Sequence, residues 1–402
     1  MNTGIARAKG KQGRLDHIDG LRALAALYVL FHHILLYVNS GLPHFHFISL
    51  PGLFIFGHFA VDVFIVLSGF CLMLPVLRNH GVLRGGAWEF FRKRARRILP
   101  PYYAALAISL VCIVFWISRG DRVGMWDVAL PVTPAAIWAH LFLVQDAFNA
   151  THHRINYPLW TISVEWRIYF LFPALVYCWH RFGPLLTTAV TVLVSYLLLF
   201  PLQYTVFDSS PTGVCLHFYG LFSLGMLAAG LSTSGDGALA ALRARAPWRT
   251  LTLLLPPIAM VSTKNYAHVG HLPWQIEDLL VGTAAASLLV ALSPGGNSDP
   301  WRRVREVLAS RPLVFVGTIS FSLYLLHAPL LEVIWVYAVN PLNLSAIRAF
   351  LLLVTGGTVV ITAASYLFFL AFERPFIMRR NGGGVRAHPA PVRDPDPALS
   401  RD

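Results

Sequence analysis

The stretch LRALAALYVLFHHILLYV, residues 21–38, is apolar enough to cross a membrane, yet it carries one arginine and two histidines. Arg22 and His33 are eleven residues apart, which on an α-helix is about 20° past three full turns and about 16 Å along the axis. We therefore expect both side chains on one face, with His32 pointing about 100° away. An arginine can bind an anion and a histidine can act as base or nucleophile, so the pair predicts a reaction site along one water-accessible channel. The alternative is structural, with Arg22 reaching lipid phosphate and His33 hydrogen-bonded inside a helix bundle.

Two further apolar segments carry polar groups, which are costly inside a membrane and so are candidates for function. In GHFAVDVFIVLSGFCLML, Asp62 and Ser68 are predicted to contact the substrate, although Ser68 could instead bond back along its own helix. The adjacent Gly69 is expected to allow a close helix contact. In YPLWTISVEWRIYFLFP, Glu165 is a candidate catalytic residue whose partner must lie on another helix, because Arg167 faces elsewhere.

The segment TISFSLYLLHAPLL places Ser320, Tyr324 and His327 on one helical face through its spacing of four and then three residues. Such a stripe can simply bind helices together. The alternative, which we adopt for Tyr324 and His327, is contact with the substrate. Glu373, at the end of the last apolar segment, is expected to anchor the cytoplasmic rim.

The loop WEFFRKRARRILPPYY holds the densest group of basic residues. Arg94 and Arg97 are three residues apart, close enough to hold one polyanionic ligand with bidentate contacts. The plainer interpretation is that the loop only carries the positive charge that cytoplasmic loops normally have.

Composition indicates the class of protein that must position these residues. The 402 residues are 56% hydrophobic and 13% charged, whereas an average soluble protein has about 25% charged residues. A polytopic, all-α membrane protein is therefore predicted, with no nucleic-acid partner despite the net charge of +13. Its apolar cysteines, and the histidines predicted to lie in outer loops, show no spacing that predicts a disulfide or a metal site. These residues are Cys71, Cys112, Cys178 and Cys215, and His44, His46, His152, His153, His268 and His271.

About ten membrane-spanning helices are predicted from apolar length. They lie near 18–39, 56–77, 99–118, 158–180, 183–201, 213–232, 248–263, 274–292, 313–337 and 346–372. The segment 135–147 is too short and polar to count and is interpreted as re-entrant or interfacial. Ten spans put both termini on one side, and a cytoplasmic N-terminus places 25 of the 32 Lys and Arg residues in cytoplasmic segments.

The predicted spans divide the chain into three parts. Residues 1–17 form a cytoplasmic N-terminal segment, 18–378 the membrane domain, and 379–402 a Gly/Pro-rich cytoplasmic tail expected to be disordered. The first apolar segment lacks a cleavage site and is expected to stay as a signal anchor.

Taken in order, several motifs resemble the membrane acyltransferase-3 family, whose members O-acylate bacterial surface glycans and some macrolides. The motifs cover roughly residues 15–378 and are IDGLRALAALYVLFHH, VDVFIVLSGF, FRKRARRILP, PLWTISVEW, SFSLYLLHAPL and FERPF. Many family members carry an additional extracytoplasmic hydrolase-like domain, which is not expected here.

The resemblance implies transfer of an acyl group, usually acetyl, from cytoplasmic acyl-CoA to a glycan hydroxyl at the bacterial inner membrane. It implies that His33 is the catalytic histidine with Arg22 as its partner, and that Arg94 and Arg97 bind the CoA phosphates. Our own hypothesis adds Arg22 to this phosphate site. In the same hypothesis, which goes beyond the resemblance, Glu165 or Asp62 orients the histidine or the acceptor. The acceptor would be a glycan or lipid-linked oligosaccharide in contact with membrane lipids, and no metal is implied.

Four questions stay open at the level of sequence. His33 could act as general base in direct transfer, or carry the acyl group itself. The acceptor could be a macrolide-like small molecule. A transporter for a sugar or polyanion would also suit many spans and a basic inner face, although no inverted repeat is apparent. The oligomeric state is not indicated.

Overall fold

A computed structural model describes residues 15–38, 51–119, 126–199, 213–234, 237–264, 274–293 and 299–378. Within these ranges the regular structure is entirely helical, which confirms the predicted all-α class. The α-helices, numbered in chain order, are α1 Asp16–Val38, α2 Gly57–Arg78, α3 Gly86–Phe115, α4 Trp126–Ala129, α5 Pro134–Leu141, α6 Trp160–Phe182, α7 Pro184–Val194, α8 Phe218–Thr233, α9 Gly237–Arg245, α10 Trp248–Lys264, α11 Trp274–Ala291, α12 Arg302–Leu308, α13 Arg311–Thr318, α14 Ser320–Ile334, α15 Ala346–Leu352, α16 Thr358–Phe368 and α17 Arg374–Met378.

Seven helical stretches of the described chain are long and apolar enough to cross a membrane. They are Asp16–Val38, Gly57–Arg78, Gly86–Phe115, Tyr157–Phe182, Trp274–Ala291, Ser320–Leu342 and Ala346–Ile377. The three other predicted spans coincide with the shorter helices α7, α8 and α10. The protein is therefore a multi-pass membrane protein, while the count of ten and the cytoplasmic termini stay predictions.

Two boundaries differ from those expected. The basic segment taken as a loop belongs to α3, which begins at Gly86 and continues through Pro100 and Pro101. Glu89 in the first turn forms ion pairs with the basic residues three and four positions later, which favours helix there. The predicted span 313–337 is broken at Ile319 into α13 and α14.

Glycines permit close helix contacts in the bundle. A Cβ at Gly69 of α2 would lie 2.0 Å from the Phe222 carbonyl oxygen of α8, and one at Gly225 would lie 2.0 Å from the Val66 oxygen. Backbone therefore packs directly on backbone where these helices cross. The close approach expected at Gly69 is confirmed.

The connection between α3 and α6 folds against the bundle and includes the segment predicted as re-entrant or interfacial. That segment forms the short helix α5 followed by a 3₁₀ turn at Gln145–Ala147. Arg167 of α6 makes a bidentate ion pair with the fully buried Asp146, with N–O distances of 2.7 and 2.5 Å. The Asn156 amide donates to Ser109 Oγ at 3.0 Å and to the Leu325 carbonyl at 3.1 Å. The ion pair and these hydrogen bonds hold the segment between α3 and α6 against α3, α6 and α14.

Candidate active site

A cavity of about 560 Å³ opens among α1, α2, α3, α6 and the last helices. Six of the residues selected from the sequence line it: Arg22, Ser68, Arg94, Arg97, Glu165 and Tyr324. Ser320 and Glu373 line it too. Glu373 is buried, and its carboxylate accepts a 2.5 Å hydrogen bond from Ser322 Oγ, while its role as an anchor of the cytoplasmic rim stays a prediction.

Positive charge lies at one end of this cavity, called here the basic end, where α1 begins and α6 ends. Arg94 Nε is buried and has no hydrogen-bond acceptor among the residues described, and Arg97 lies one turn further along α3. Arg22 is 3.5 Å from Asp19 and also lines the cavity. An anion with several charges would find guanidinium groups from two helices here.

The other basic residues of the RKRARR segment, residues 92–97, lie on the exposed face of α3. Arg92 and Lys93 are exposed and ion-paired with Glu89, with the Lys93 pair at 3.3 Å, and Arg96 is exposed as well. The helical period thus divides the run into an outer face and a cavity face. Only Arg94 and Arg97 of this run belong to the cavity face.

Glu165 lies deeper in the cavity and finds its partner on another helix, as expected. Ser68 Oγ of α2 donates to its carboxylate at 3.1 Å, and the Tyr169 hydroxyl forms a second hydrogen bond to it. The carboxylate also interacts electrostatically with Arg22 and Arg94. Ser68 therefore bonds across helices rather than back along α2.

Tyr324 closes the deep end of the cavity. Its hydroxyl donates to the Pro158 carbonyl at 3.0 Å and accepts from Thr161 Oγ1 at 2.7 Å. On the other side its ring contacts His327, with centroids 5.5 Å apart. His327 in turn contacts His33, so Tyr324 and His327 connect the cavity to that histidine.

The His33–His327 pair fixes which nitrogens carry protons. His327 Nδ1 lies 2.7 Å from the Tyr324 carbonyl oxygen, which can only accept, so this nitrogen must be protonated. In a neutral His327, Nε2 then accepts, and it lies 3.1 Å from His33 Nδ1. His33 therefore donates through Nδ1–H and keeps its lone pair on Nε2, the form suited to a base or nucleophile.

His32 is held differently from its neighbour. Its Nδ1 lies 2.8 Å from the Phe54 carbonyl oxygen, and its ring packs so closely on Gly57 that a Cβ there would be 2.1 Å away. The two histidines thus diverge, as the helical period predicts. His33, at 4.9 Å from the His327 ring and 5.1 Å from the Tyr157 ring, is not among the described residues that line the cavity.

Asp62 lies outside this cavity, at the opposite end of the bundle. It is fully buried beside His58 of its own helix and Asp278 of α11, and His217, next to α8, also contacts Asp278. Sequence reasoning missed this group because its members come from three segments. The spacing of four between His58 and Asp62 was the one visible signal, since it places both side chains on one helical face.

Together the fold and the cavity define a helical, multi-pass membrane protein with a basic internal site. The chain matches the family model described as "Acyltransferase domain" over residues 15–370. It therefore belongs to the acyltransferase-3 family.

The curated relatives are distant, and the OatA relatives are longer than this chain. O-acetyltransferase OatA of Staphylococcus aureus is 22% identical over 360 residues, covering 81% of this chain and 52% of the relative. Nodulation protein 10 of Rhizobium leguminosarum bv. viciae is 27% identical over 235 residues, covering 54% of this chain and 60% of the relative. The chain spans about half the length of the OatA relatives it matches. No solved structure matches it significantly.

Proposed function

We propose that the protein is a membrane O-acyltransferase that moves an acyl group, acetyl in the simplest case, from acyl-CoA to a hydroxyl of a cell-surface glycan. The observation that supports this best is the order of groups along one path. Guanidinium groups come first, then the Glu165–Ser68–Tyr169 network, and beyond Tyr324 the His33–His327 pair. Membership of the family and the name of OatA agree with this order.

The basic end would hold the donor. The phosphates of CoA carry several negative charges, and Arg94, Arg97 and Arg22 supply charged donors from α3 and α1. The pantetheine arm would extend past Ser68 and Glu165 toward Tyr324. The side chain of Tyr324 would have to move for the thioester to reach His33.

His33 would then carry the chemistry by one of two routes. In direct transfer, Nε2 takes the proton of the acceptor hydroxyl, the oxygen attacks the thioester carbonyl, the C–S bond breaks and the CoA thiolate leaves with that proton. In the relay, Nε2 itself attacks the carbonyl, the C–S bond breaks and the CoA thiolate leaves. The acceptor hydroxyl then attacks the acylated imidazole, the C–N bond breaks, neutral His33 is regenerated, and the hydroxyl proton is released to balance the thiolate. In both routes, the hydrogen bond from His33 Nδ1–H to His327 keeps the lone pair of His33 on its Nε2.

The acceptor and the cellular setting follow from the same proposal. A basic end facing the cytoplasm would meet acyl-CoA, and the opposite end would meet a glycan or lipid-linked oligosaccharide outside the bacterial inner membrane. A macrolide-like hydroxyl compound is the alternative acceptor. Ten spans with both termini cytoplasmic fit this orientation.

The test is release of free CoA from acetyl-CoA by the purified protein in lipid. We expect release that depends on an added glycan acceptor and leaves labelled acetyl on it. Acceptor movement across the vesicle membrane without CoA release would instead identify a transporter and overturn the proposal. With acetyl-CoA and no acceptor, a rapidly quenched sample that carries label on His33 would favour the relay, and an unlabelled protein would favour direct transfer.

A further inference from the structure

A second cluster of buried polar groups lies where α2 and α11 begin, away from the cavity. One ligand atom from each of His58, Asp62 and Asp278 lies within 4.8 Å of the others. Asp278 Oδ2 is 3.1 Å from His58 Nε2 and 2.9 Å from His217 Nε2. The acyl transfer proposed above assigns no step to any of these side chains, although the sequence predicts that Asp62 contacts the substrate.

The cluster leaves carboxylate oxygens without partners. Asp62 and Asp278 are fully buried, and both Asp62 oxygens and Asp278 Oδ1 have no hydrogen-bond donor among the described residues. A buried, unpaired carboxylate is costly, and two side by side repel each other unless they share a proton, as Asp62 and Asp278 are close enough to do, or a cation takes the place of that proton. His58 and His217 both face Asp278 Oδ2, so Asp62 is the carboxyl group that has no cation of its own among the described side chains.

We propose that His58, Asp62 and Asp278 bind one divalent transition-metal ion, zinc in the first instance. Two carboxylates balance its two charges, and a nitrogen with two oxygens is a donor set that zinc and manganese accept. Ligand atoms about 2.0 Å from a tetrahedral ion are about 3.3 Å apart, close to the 3.1 Å between His58 Nε2 and Asp278 Oδ2. Three protein ligands leave a fourth position for water or another oxygen ligand.

The neighbours of the cluster are arranged to hold these ligands in place. His217 would not bind the metal itself. Its Nε2–H would donate to Asp278 Oδ2 and so fix the orientation of that carboxylate. Trp274 packs edge-on against the rings of both His58 and His217, at 5.3 and 5.0 Å, and Trp160 stacks on His58 at 6.2 Å. These aromatic rings keep the imidazoles fixed and surround the ion with apolar groups.

The experiment measures zinc in full-length protein purified in detergent, after dialysis against zinc and then against a weak chelator. We expect about one zinc per chain, and an increase in unfolding temperature on zinc addition. Asp62→Asn and Asp278→Asn, which keep the side-chain shape, should lose both effects. His180→Ala removes an exposed histidine at the basic end and should keep both.

X-ray absorption at the zinc edge of the wild-type protein needs no variant. We expect only nitrogen and oxygen neighbours at about 2.0–2.2 Å. Sulfur neighbours would assign the metal to cysteine instead, and less than one tenth of a zinc per chain, or an equal zinc effect in Asp62→Asn, would overturn the proposal. Because these readouts do not use acyl transfer, they can fail or succeed separately from the proposed function.

Discussion

At the residue scale, the basic run of α3 separates cavity residues from surface residues. Arg94→Ala or Arg97→Ala should raise the KM for acetyl-CoA about tenfold or more, because each loses a charge-assisted contact with phosphate worth about 1.5–3 kcal/mol. Steady-state kinetics in lipid checks this. Arg96→Ala removes the same charge from the exposed face of the same helix and is the matched control. An equal KM effect in all three variants would contradict a phosphate site and leave only a general effect of charge.

His327 is expected to act as a positioning residue for His33. His327→Ala removes the acceptor of the His33 Nδ1 proton, so kcat should fall about tenfold, the value of one hydrogen bond of about 1.5 kcal/mol, with KM for acetyl-CoA unchanged. His327→Gln supplies an amide oxygen that can accept the same bond and should recover part of kcat. If KM rises instead, His327 contacts the substrate, as the sequence alone suggested.

The sequence anticipates much of this site because helical spacing is local. It selects Arg22, Ser68, Arg94, Glu165 and Tyr324, and the fold places all of them around one cavity. It could not pair His33 with His327, which are 294 positions apart, because contacts between distant helices depend on how the bundle packs.

At the scale of elements, the crossing of α2 and α8 depends on the absence of side chains. Gly69→Ala should lower the unfolding temperature, because its Cβ would meet a backbone oxygen at 2.0 Å and overpacking costs about 1–3 kcal/mol. Thermal unfolding in detergent measures this. Gly356→Ala, whose Cβ would have its nearest neighbour at 3.7 Å, is the control and should be neutral or slightly stabilising. Equal effects of both changes would show that helix propensity rather than packing is responsible.

The ion pair between Asp146 and Arg167 secures the connection between α3 and α6. Asp146→Ala leaves a mostly buried guanidinium without its carboxylate, and should destabilise the protein by about 3–5 kcal/mol. Glu306→Ala removes the carboxylate of the exposed pair with Arg302 and should change stability little. The comparison uses the same thermal unfolding. An unchanged midpoint for Asp146→Ala would mean that the connection is not held by this pair.

Helix boundaries were less predictable than helix existence. The sequence places a span at 99–118, whereas α3 begins at Gly86, because the basic segment before it is helical although it is too polar to be counted within a span. Apolar length indicates where a helix can cross a membrane, and it does not indicate where that helix begins in water.

At the scale of the whole molecule, the distribution of Lys and Arg predicts that the basic end faces the cytoplasm. In a cysteine-free background, Trp88→Cys near the basic end should react with a membrane-impermeant thiol reagent only after cells are opened. Tyr337→Cys, toward the opposite end, should react in intact cells. Both side chains are exposed, at 79% and 50%. If Trp88→Cys reacted in intact cells and Tyr337→Cys reacted only in opened cells, the basic end would face outward. The acyl group would then move in the direction opposite to the one proposed.

The cluster of His58, Asp62 and Asp278 forms only when α2 and α11 pack together. His58 and Asp62 share α2, but Asp278 lies on α11 more than 200 positions later, so sequence spacing does not reveal the group. The histidines at 44, 46, 268 and 271 lie outside the described residues.

We propose that His33 performs acyl transfer while the donor is bound at the basic end. The most direct measurement is the rate of CoA release at saturating acetyl-CoA and acceptor, for wild type, His33→Ala and His32→Ala, each normalised to folded protein. Loss of a base or nucleophile should lower the rate of His33→Ala at least about 100-fold, while His32→Ala keeps most of the wild-type rate. A His33→Ala protein that releases CoA and acylates its acceptor at the normal rate would contradict the account.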